Sequence, residues 1–558
     1  MRVFGSLTLL FLLALGTTPG WGQASDESKK ADVPLFQGLG KHSRKVTTAN
    51  PEAQKYFDQG LNFLYAFNHD EAIRSFKKAA ELDPQCAMAH WGISVAYGPH
   101  INNNEMPAAK SQAAWDALLK AREHAGTGTA AEKALIEALG KRYAEKPPED
   151  RKPLDAAYAE AMRGVWKQFP QDADIGALFA ESLMDLRPWD LWTHEGKPQP
   201  ETPEVVATLE AVMAVDPHHP LALHLYIHAV EASPNPEKAD VPADRLRHLA
   251  PALGHLVHMP SHIDIRRGRW QEAVEANQRA MEADRKYREV SPKQGFYRLY
   301  MAHNHHMLSF AAVMQGESKR SMEAVRTMLA AVPPQALEDK ATAAMLDGFF
   351  AIPYEILLRF GRWDDMLKEP EPHSALVICR AMRHYARGIA LAAQHKPAEA
   401  RAEQKAFREA VAKTPKDARF GNNTAENVLA VAENMLEGEI LYREGKVEES
   451  LAALREAVKK EDALKYDEPP DWGMPVRHAL GATLLQAGKA AEAEQAYRED
   501  LRRWPQNGWS LFGLSQALEV QGKQAAAAEV KAQFEKIWQR ADVKLNSSCF
   551  CQPGIQQK

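Results

Sequence analysis

The stretch YFDQGLNFLYAFNHDEAIRSFKKAAELDP, residues 56–84, decides the fold. Read at helical spacing, it sets aromatic Tyr56, small Gly60 and aromatic Phe63, then Ala72, Phe76, Ala79 and Pro84. Each residue type has a physical task. Gly60 and Ala72 are small where two helices must cross closely, and Phe76 and Ala79 fill the next crossing. Pro84 has no N–H to give and stops the second helix. The pattern returns near the other end of the chain as Leu480-Gly481, Ala493, Tyr497 and Pro505, followed by Trp509, Phe512 and Gly513. Such coincidence predicts one unit, a pair of antiparallel helices, used repeatedly.

Between these ends the unit degenerates but its turn survives. Gly268-Arg269-Trp270, Gly316, Gly361-Arg362-Trp363, Gly445, Gly488 and Gly522 mark turns between paired helices, and Pro84, Pro170 and Pro217 mark stops between units. Roughly eight to ten helical hairpins are expected. No stretch alternates as a strand would. Pro-rich segments at 146–153, 198–203 and 233–242 read as loops. The end units resemble the tetratricopeptide-repeat (TPR) family, and that resemblance implies an all-α, TPR-like superhelical solenoid of antiparallel helix pairs. The expected organisation is a signal peptide over 1–24, a linker over 25–45, N-terminal TPR-like hairpins over 46–185, His-rich central units over 186–330, C-terminal TPR repeats over 331–540 and a flexible tail over 541–558.

Composition narrows the function classes. Of 558 residues, 45% are hydrophobic and 26% charged, the balance of a folded globular chain. A net charge of -5 gives no footprint for nucleic acid. Arg2, the apolar run from Phe4 to Leu15 and the small residues Gly22 and Ala24 read as a secretory signal cleaved after Ala24. An exported chain, periplasmic or secreted, is therefore expected. The apolar run is too short to span a bilayer, and no later membrane span is expected. Cys86 and Cys379 sit in apolar helical text and read as buried free thiols. Cys549-Phe550-Cys551 falls in the polar tail, where it can bind a soft metal, pair between chains or end in disorder.

Histidine is the compositional exception. Of the 21 histidines, eleven lie between positions 218 and 306. At helical spacing His224, His228 and Glu231 share one face; so do His255, His258, Met259 and His262; so do His303, His306 and Met307. Two of these stripes are copies, because His255, His258, Met259 and Gly268 recur 48 residues on as His303, His306, Met307 and Gly316. Neutral imidazole is the commonest transition-metal ligand, and three or four convergent His and Glu side chains suit Zn or Cu. Met259 and Met307 favour Cu(I), since thioethers are soft donors. Two other readings use the same residues: hydrogen-bonded core histidines with Met as filler, or a surface that recognises carboxylates.

In TPR proteins the second, fifth, ninth and twelfth residues of each unit's first helix line a concave groove. The resemblance implies that His224, His228, Glu231, His255, His258, His262, His303, His306 and Glu181 face one groove. They would be the ligands of a metal ion, Cu or Zn, or the contacts of a protein or peptide partner. The block Tyr226–Ser233 with Gly254–Ile263 is similar to that of a group of exported bacterial TPR proteins, most closely over 186–316. The expected function is metal or small polar ligand binding in a His/Glu-lined groove. The alternatives are a scaffold for protein or peptide binding without metal and a metal-dependent hydrolase or oxidoreductase. For the last, Glu231, Glu181 or Asp264 would serve as general base; no HExxH, nucleophile elbow or phosphate loop is present. Loops at Gly98–Asn102 and Arg187–Asp190 are expected at the groove mouth.

Overall fold

In the computed structural model, residues 33–292 and 294–553 are described. The expected signal peptide at 1–24 lies outside them, as do residues 25–32 of the expected linker. Among the described residues the regular structure is helical except for one short hairpin, Arg419–Phe420 paired with Asn423–Thr424. The chain is an all-α solenoid of antiparallel helix pairs.

The opening stretch forms the first pair, Pro51–Tyr65 and His69–Leu82. Asn50 starts it by accepting from the amides of Glu52 and Ala53, with Pro51 in the first turn where no N–H is needed. Asn68 caps the second helix by accepting from the Glu71 amide. The close crossing expected at Gly60 is real: a β-carbon there would lie 2.7 Å from the Phe76 ring, and one at Gly92 would lie 2.5 Å from it. Phe76 is thus clamped between the glycine of its own unit and that of the next helix, Ala87–Tyr97. Tyr497 repeats the arrangement between Gly481 and Gly513. The turn glycines Gly268, Gly316, Gly361, Gly445, Gly488 and Gly522 have φ between 64° and 82°, a conformation other L-residues adopt at a cost.

The helices gather into two compact units, residues 33–263 with 276–304 and residues 264–275 with 305–553. This corrects the expected boundaries at 186 and 331. Residues 186–263 bury Leu191, Leu223, Leu225 and Leu256 in the same core as Phe57 and Trp91, so they belong with the N-terminal hairpins.

The described part of the expected linker, 33–45, is corrected too: it is strapped onto the first unit in extended form. Phe36 donates its amide to Gln59 Oε1 at 2.8 Å, Asn62 Nδ2 donates to the His42 carbonyl at 2.9 Å, and Ala252 donates its amide to the Gly38 carbonyl at 3.0 Å. Leu39 is buried in the core, which gives the segment an apolar anchor. The Pro-rich segment 233–242 is more regular than a loop, since it holds the 3-10 turn Pro236–Ala239 and the start of the helix Asp240–Leu246.

In the second unit, Lys340–Arg359 is long and apolar enough to cross a membrane by length and composition, and it is mostly buried as a core helix. Residues 541–553 correct the expected flexible tail. Phe550 packs on Trp509 with ring centroids 5.8 Å apart, Ser548 Oγ meets the Tyr497 hydroxyl at 2.6 Å, and Cys549 is disulfide-bonded to Cys551. An aromatic ring and a partly buried disulfide hold what its polar composition left unmarked. Cys86 and Cys379 are buried free thiols, as expected.

Candidate metal centre

Three helical segments of the first unit carry the site. Pro220–Glu231 is buried along its whole length, with His219 at its N-cap accepting from the Ala222 amide at 3.2 Å. The next segment, Gly254–His258, continues past Met259 into Pro260–Arg267, the break falling where Pro260 cannot donate. The third, Tyr297–Met314, contributes His303. Gly254 permits the approach of the second segment to Asp284, whose carboxylate occupies the space a β-carbon would need. The Tyr297 hydroxyl accepts from the His255 amide and donates to Asp284, both at 3.2 Å, fixing the helix start.

The imidazoles converge. His224, His228 and His255 form one group whose donor atoms lie within 4.8 Å of one another, and His258, His262 and His303 form a second. His228, Glu231 and His262 satisfy the same limit and link the two. Two nitrogens on one ion at about 2.0–2.1 Å stand roughly 3–4 Å apart, so each triad needs little movement to close on a metal.

Four of the rings are oriented from behind. His224 Nδ1 meets the Tyr65 carbonyl at 2.8 Å, His228 Nδ1 meets Glu231 Oε1 at 3.0 Å, His262 Nδ1 meets Glu231 Oε2 at 2.8 Å, and His258 Nδ1 meets Asn277 Oδ1 at 2.6 Å. Each partner is an oxygen acceptor, so Nδ1 carries the proton and Nε2 keeps its lone pair. The Nε2 atoms of His224 and His228 are buried without a hydrogen-bond partner, as are both ring nitrogens of His255. Those of His258 and His262 face each other at 2.7 Å. Burial pushes the His228 imidazole down to about 3 and, against the help of Asn277, the His258 imidazole down to about 4. Burial and neighbouring imidazoles hold His224, His255 and His262 well below the ordinary histidine range. The cluster is therefore a set of neutral nitrogen donors, the protonation state a metal requires.

The expected open groove is not what surrounds these rings. His224 and His258 are 0% exposed and His262 is 1% exposed. Phe67, held at φ 55°, packs on His224 with centroids 4.4 Å apart and on His100 at 5.0 Å. Trp189, at φ 58°, meets His228 edge-on at 5.8 Å. Of the two loops expected at the mouth, Arg187–Asp190 brings Trp189 onto His228, while His100 of Gly98–Asn102 packs on Phe67, which in turn covers His224.

Two of the expected ligands fall elsewhere. Glu181 joins none of these groups and lies beside Arg142 and Asp185; burial lifts its carboxyl to about 7. His306 belongs to the second unit and packs on Phe349 at 5.7 Å. Glu231 meets Nδ1 atoms and so orients rings. Met259 lies in the apolar core, as filler does. Asp264, a candidate base, is ion-paired with Arg269 at 2.8 Å.

Sequence reasoning missed a further group, His42, Asp174 and His219. Asp174 accepts from Tyr65 Oη at 2.6 Å, His42 Nε2 at 2.9 Å, Arg44 Nη1 at 3.0 Å and His219 Nε2 at 3.1 Å. Burial alone would raise its pKa, but these donors hold it well below the usual range. With a guanidinium already on the carboxylate, this group is a satisfied network that braces Tyr65. Asn277 was also missed, although a lone Asn in the alanine stripe of Ala276, Ala280 and Ala283 is a usable signal.

The Tetratricopeptide repeat family profile matches residues 57–97 and 478–535. No curated protein matches the chain. Solved structures that the chain matches include the APC/C hetero-tetramer Cut9–Hcn1, at 14% identity and TM-score 0.31 over 84% of this chain and 76% of that one. The human IFIT1 dimer with m7Gppp-AAAA follows at 12% identity and TM-score 0.30, over 88% and 91%. Yeast Tom70 gives 12% identity and TM-score 0.27, over 88% and 92%. Similarity at that level bears on neither ligand nor partner. The matched segments include the clamps at Phe76 and Tyr497, and over them the chain is similar to tetratricopeptide repeats.

Proposed function

We propose that this chain is an exported TPR protein that binds a transition metal, copper or zinc, through the buried imidazoles of its first unit. One observation carries the reading. Four rings have their Nδ1 atoms bonded to oxygen acceptors, which turns their Nε2 lone pairs to the interior of the cluster. Core histidines that serve packing alone have no need of the unpartnered Nε2 atoms of His224 and His228, since a buried unpaired nitrogen costs about 1–3 kcal/mol. Export is supported by the N-terminal sequence and by the Cys549–Cys551 disulfide, a bond that persists in oxidising compartments.

Metal analysis of protein purified without an affinity tag tests the proposal. Stoichiometric copper or zinc is expected in the parent and a loss in His224→Ala, His228→Ala, His258→Ala and His262→Ala. A parent that neither carries nor takes up either metal sinks it. The mass of the mature N-terminus from a secreting host tests export, with cleavage after Ala24 expected.

A second reading, a scaffold for a protein partner, is favoured by the strap: residues 33–45 lie extended on the first unit and show that its helices accept an extended chain. A partner retained after chelation supports it; one released by chelator does not.

A further inference from the structure

We propose that an ion held by His224, His228 and His255 keeps one coordination position for a small exogenous ligand, water or an anion, which accepts a hydrogen bond from the Tyr300 hydroxyl. The proposal rests on the metal-binding reading above and deepens it. A position left for a ligand separates a centre that acts on a small molecule from one that only holds the fold. It concerns this triad alone, whatever the second triad holds.

The triad offers an ion three nitrogens. Nε2 of His224, Nε2 of His228 and both nitrogens of His255 are buried without a hydrogen-bond partner, and donor atoms from the three rings lie within 4.8 Å of one another. His224 and His228 stand one turn apart on Pro220–Glu231, and His255 comes from Gly254–His258. Among the described residues that group closes at three. Three protein ligands and a fourth position for water or substrate is the arrangement of catalytic zinc, whereas structural zinc takes four protein ligands.

Tyr300 stands where such a ligand needs a donor. Its ring lies on His255 with centroids 4.3 Å apart, closer than His224 at 4.9 Å. The residue is 6% exposed and its hydroxyl has no hydrogen-bond partner. Asn102 approaches the same hydroxyl without closing to hydrogen-bond distance, and its Oδ1 is likewise buried and unpartnered. A phenol is protonated at neutral pH, and a buried donor left unmet is costly. An ion alone satisfies the imidazoles and leaves that proton without an acceptor. A ligand on the ion supplies the acceptor.

Phe67 keeps the position small. Its ring packs on His224 at 4.4 Å and on His255 at 5.7 Å. It does so from a turn at φ 55°, a conformation that Gly268, Gly316, Gly361, Gly445, Gly488 and Gly522 adopt in other turns. A bulky residue is strained there, and its place against two of the three ligands gives the strain a purpose. With Phe67 and Tyr300 both against His255, the space suits a small ligand and not a peptide.

The test uses the full mature chain, untagged, loaded with copper(II) or with cobalt(II) in place of zinc, and titrated with sodium azide while the azide-to-metal charge-transfer band is followed. A saturable band is expected in the parent. Tyr300→Phe should hold the metal as the parent does and bind azide about 10- to 100-fold more weakly, the worth of a hydrogen bond to a charged group. His255→Ala should lose the ion. A loaded parent that binds no azide overturns the open position and leaves metal binding by the chain standing. Equal azide affinity in the parent and Tyr300→Phe overturns the role of Tyr300. Full metal retention by His255→Ala overturns the ligand set. A parent that takes up none of copper, zinc or cobalt overturns both this proposal and the reading it rests on. Tyr300→Phe removes only a buried oxygen without a partner, so its fold is not at stake. Should His255→Ala fail to fold, the azide titrations of the parent and Tyr300→Phe still decide.

Discussion

Glu231 Oε2 accepts the Nδ1 proton of His262 at 2.8 Å. The partner is 31 residues away in sequence, and the bond fixes which nitrogen of the ring is free to bind. Its other oxygen does the same for His228 at 3.0 Å. One carboxylate thereby sets two tautomers, which is the role outer carboxylates have behind metal-bound histidines.

Glu231→Gln should therefore weaken metal binding without removing any ligand. An amide offers one acceptor oxygen and one NH₂ donor, so one of the two rings must move its proton to Nε2 and lose its ligand lone pair. An affinity loss of about 10- to 100-fold is expected, read by competition with a chelator of known strength. An unchanged affinity would show that the brace is dispensable.

The second unit holds a carboxylate of the opposite kind. Burial lifts Glu355 from 4.5 to about 8, against one hydrogen bond from the Gly473 amide, and its Oε1 has no partner. Because the folded value is raised, the neutral acid's contribution to stability is whole below the unfolded pKa and is lost as pH rises through the folded one. Relative to Glu355→Gln, which never ionises, the parent should lose about 1.4 kcal/mol per pH unit across that window. Urea unfolding of both proteins near pH 5 and pH 9 measures the difference. A gap that does not widen with pH would place the charge elsewhere.

The helix crossings give a cleaner packing test. A β-carbon at Gly92 would sit 2.5 Å from Phe76, whose ring is fully buried between two helices and has nowhere to go. Gly92→Ala should destabilise the first unit by about 1–3 kcal/mol. Adding Phe76→Leu should recover part of that loss, since a smaller side chain frees the space. Additive losses in the double variant would mean the two residues do not share the strain.

The turn glycines and the Phe76 clamp were legible because a helix pair imposes its geometry on sequence spacing: a positive φ calls for Gly268, and a close crossing calls for Gly60. The sharing of one face by His224 and His228 was legible for the same reason. What covers that face was not. Spacing fixes the angle at which a side chain leaves its helix and says nothing of Trp189 or Phe67 arriving from loops. The brace on His224 is the carbonyl of Tyr65, 159 residues away, and a carbonyl has no sequence signature at all.

Trp189 gives the last prediction, on exchange rather than affinity. Its ring meets His228 edge-on at 5.8 Å, and the residue is 37% exposed, so it stands between a ligand and solvent. The loop beneath it is anchored independently of the ring: Trp192 Nε1 donates to the Ala229 carbonyl at 2.8 Å, Arg187 pairs with Glu201 at 2.9 Å, and Gln199 donates its amide to the Leu191 carbonyl at 2.9 Å. Removing the ring in Trp189→Ala should leave the loop in place and the six imidazoles untouched. A cover that makes no bond to the metal alters the barrier to entry and exit without altering the difference between bound and free states. Association and dissociation of the metal should then quicken by the same factor in stopped-flow chelator competition, with the equilibrium constant unchanged. If dissociation alone quickens, the ring holds the bound state itself, and Trp189 belongs to the site and not to its cover.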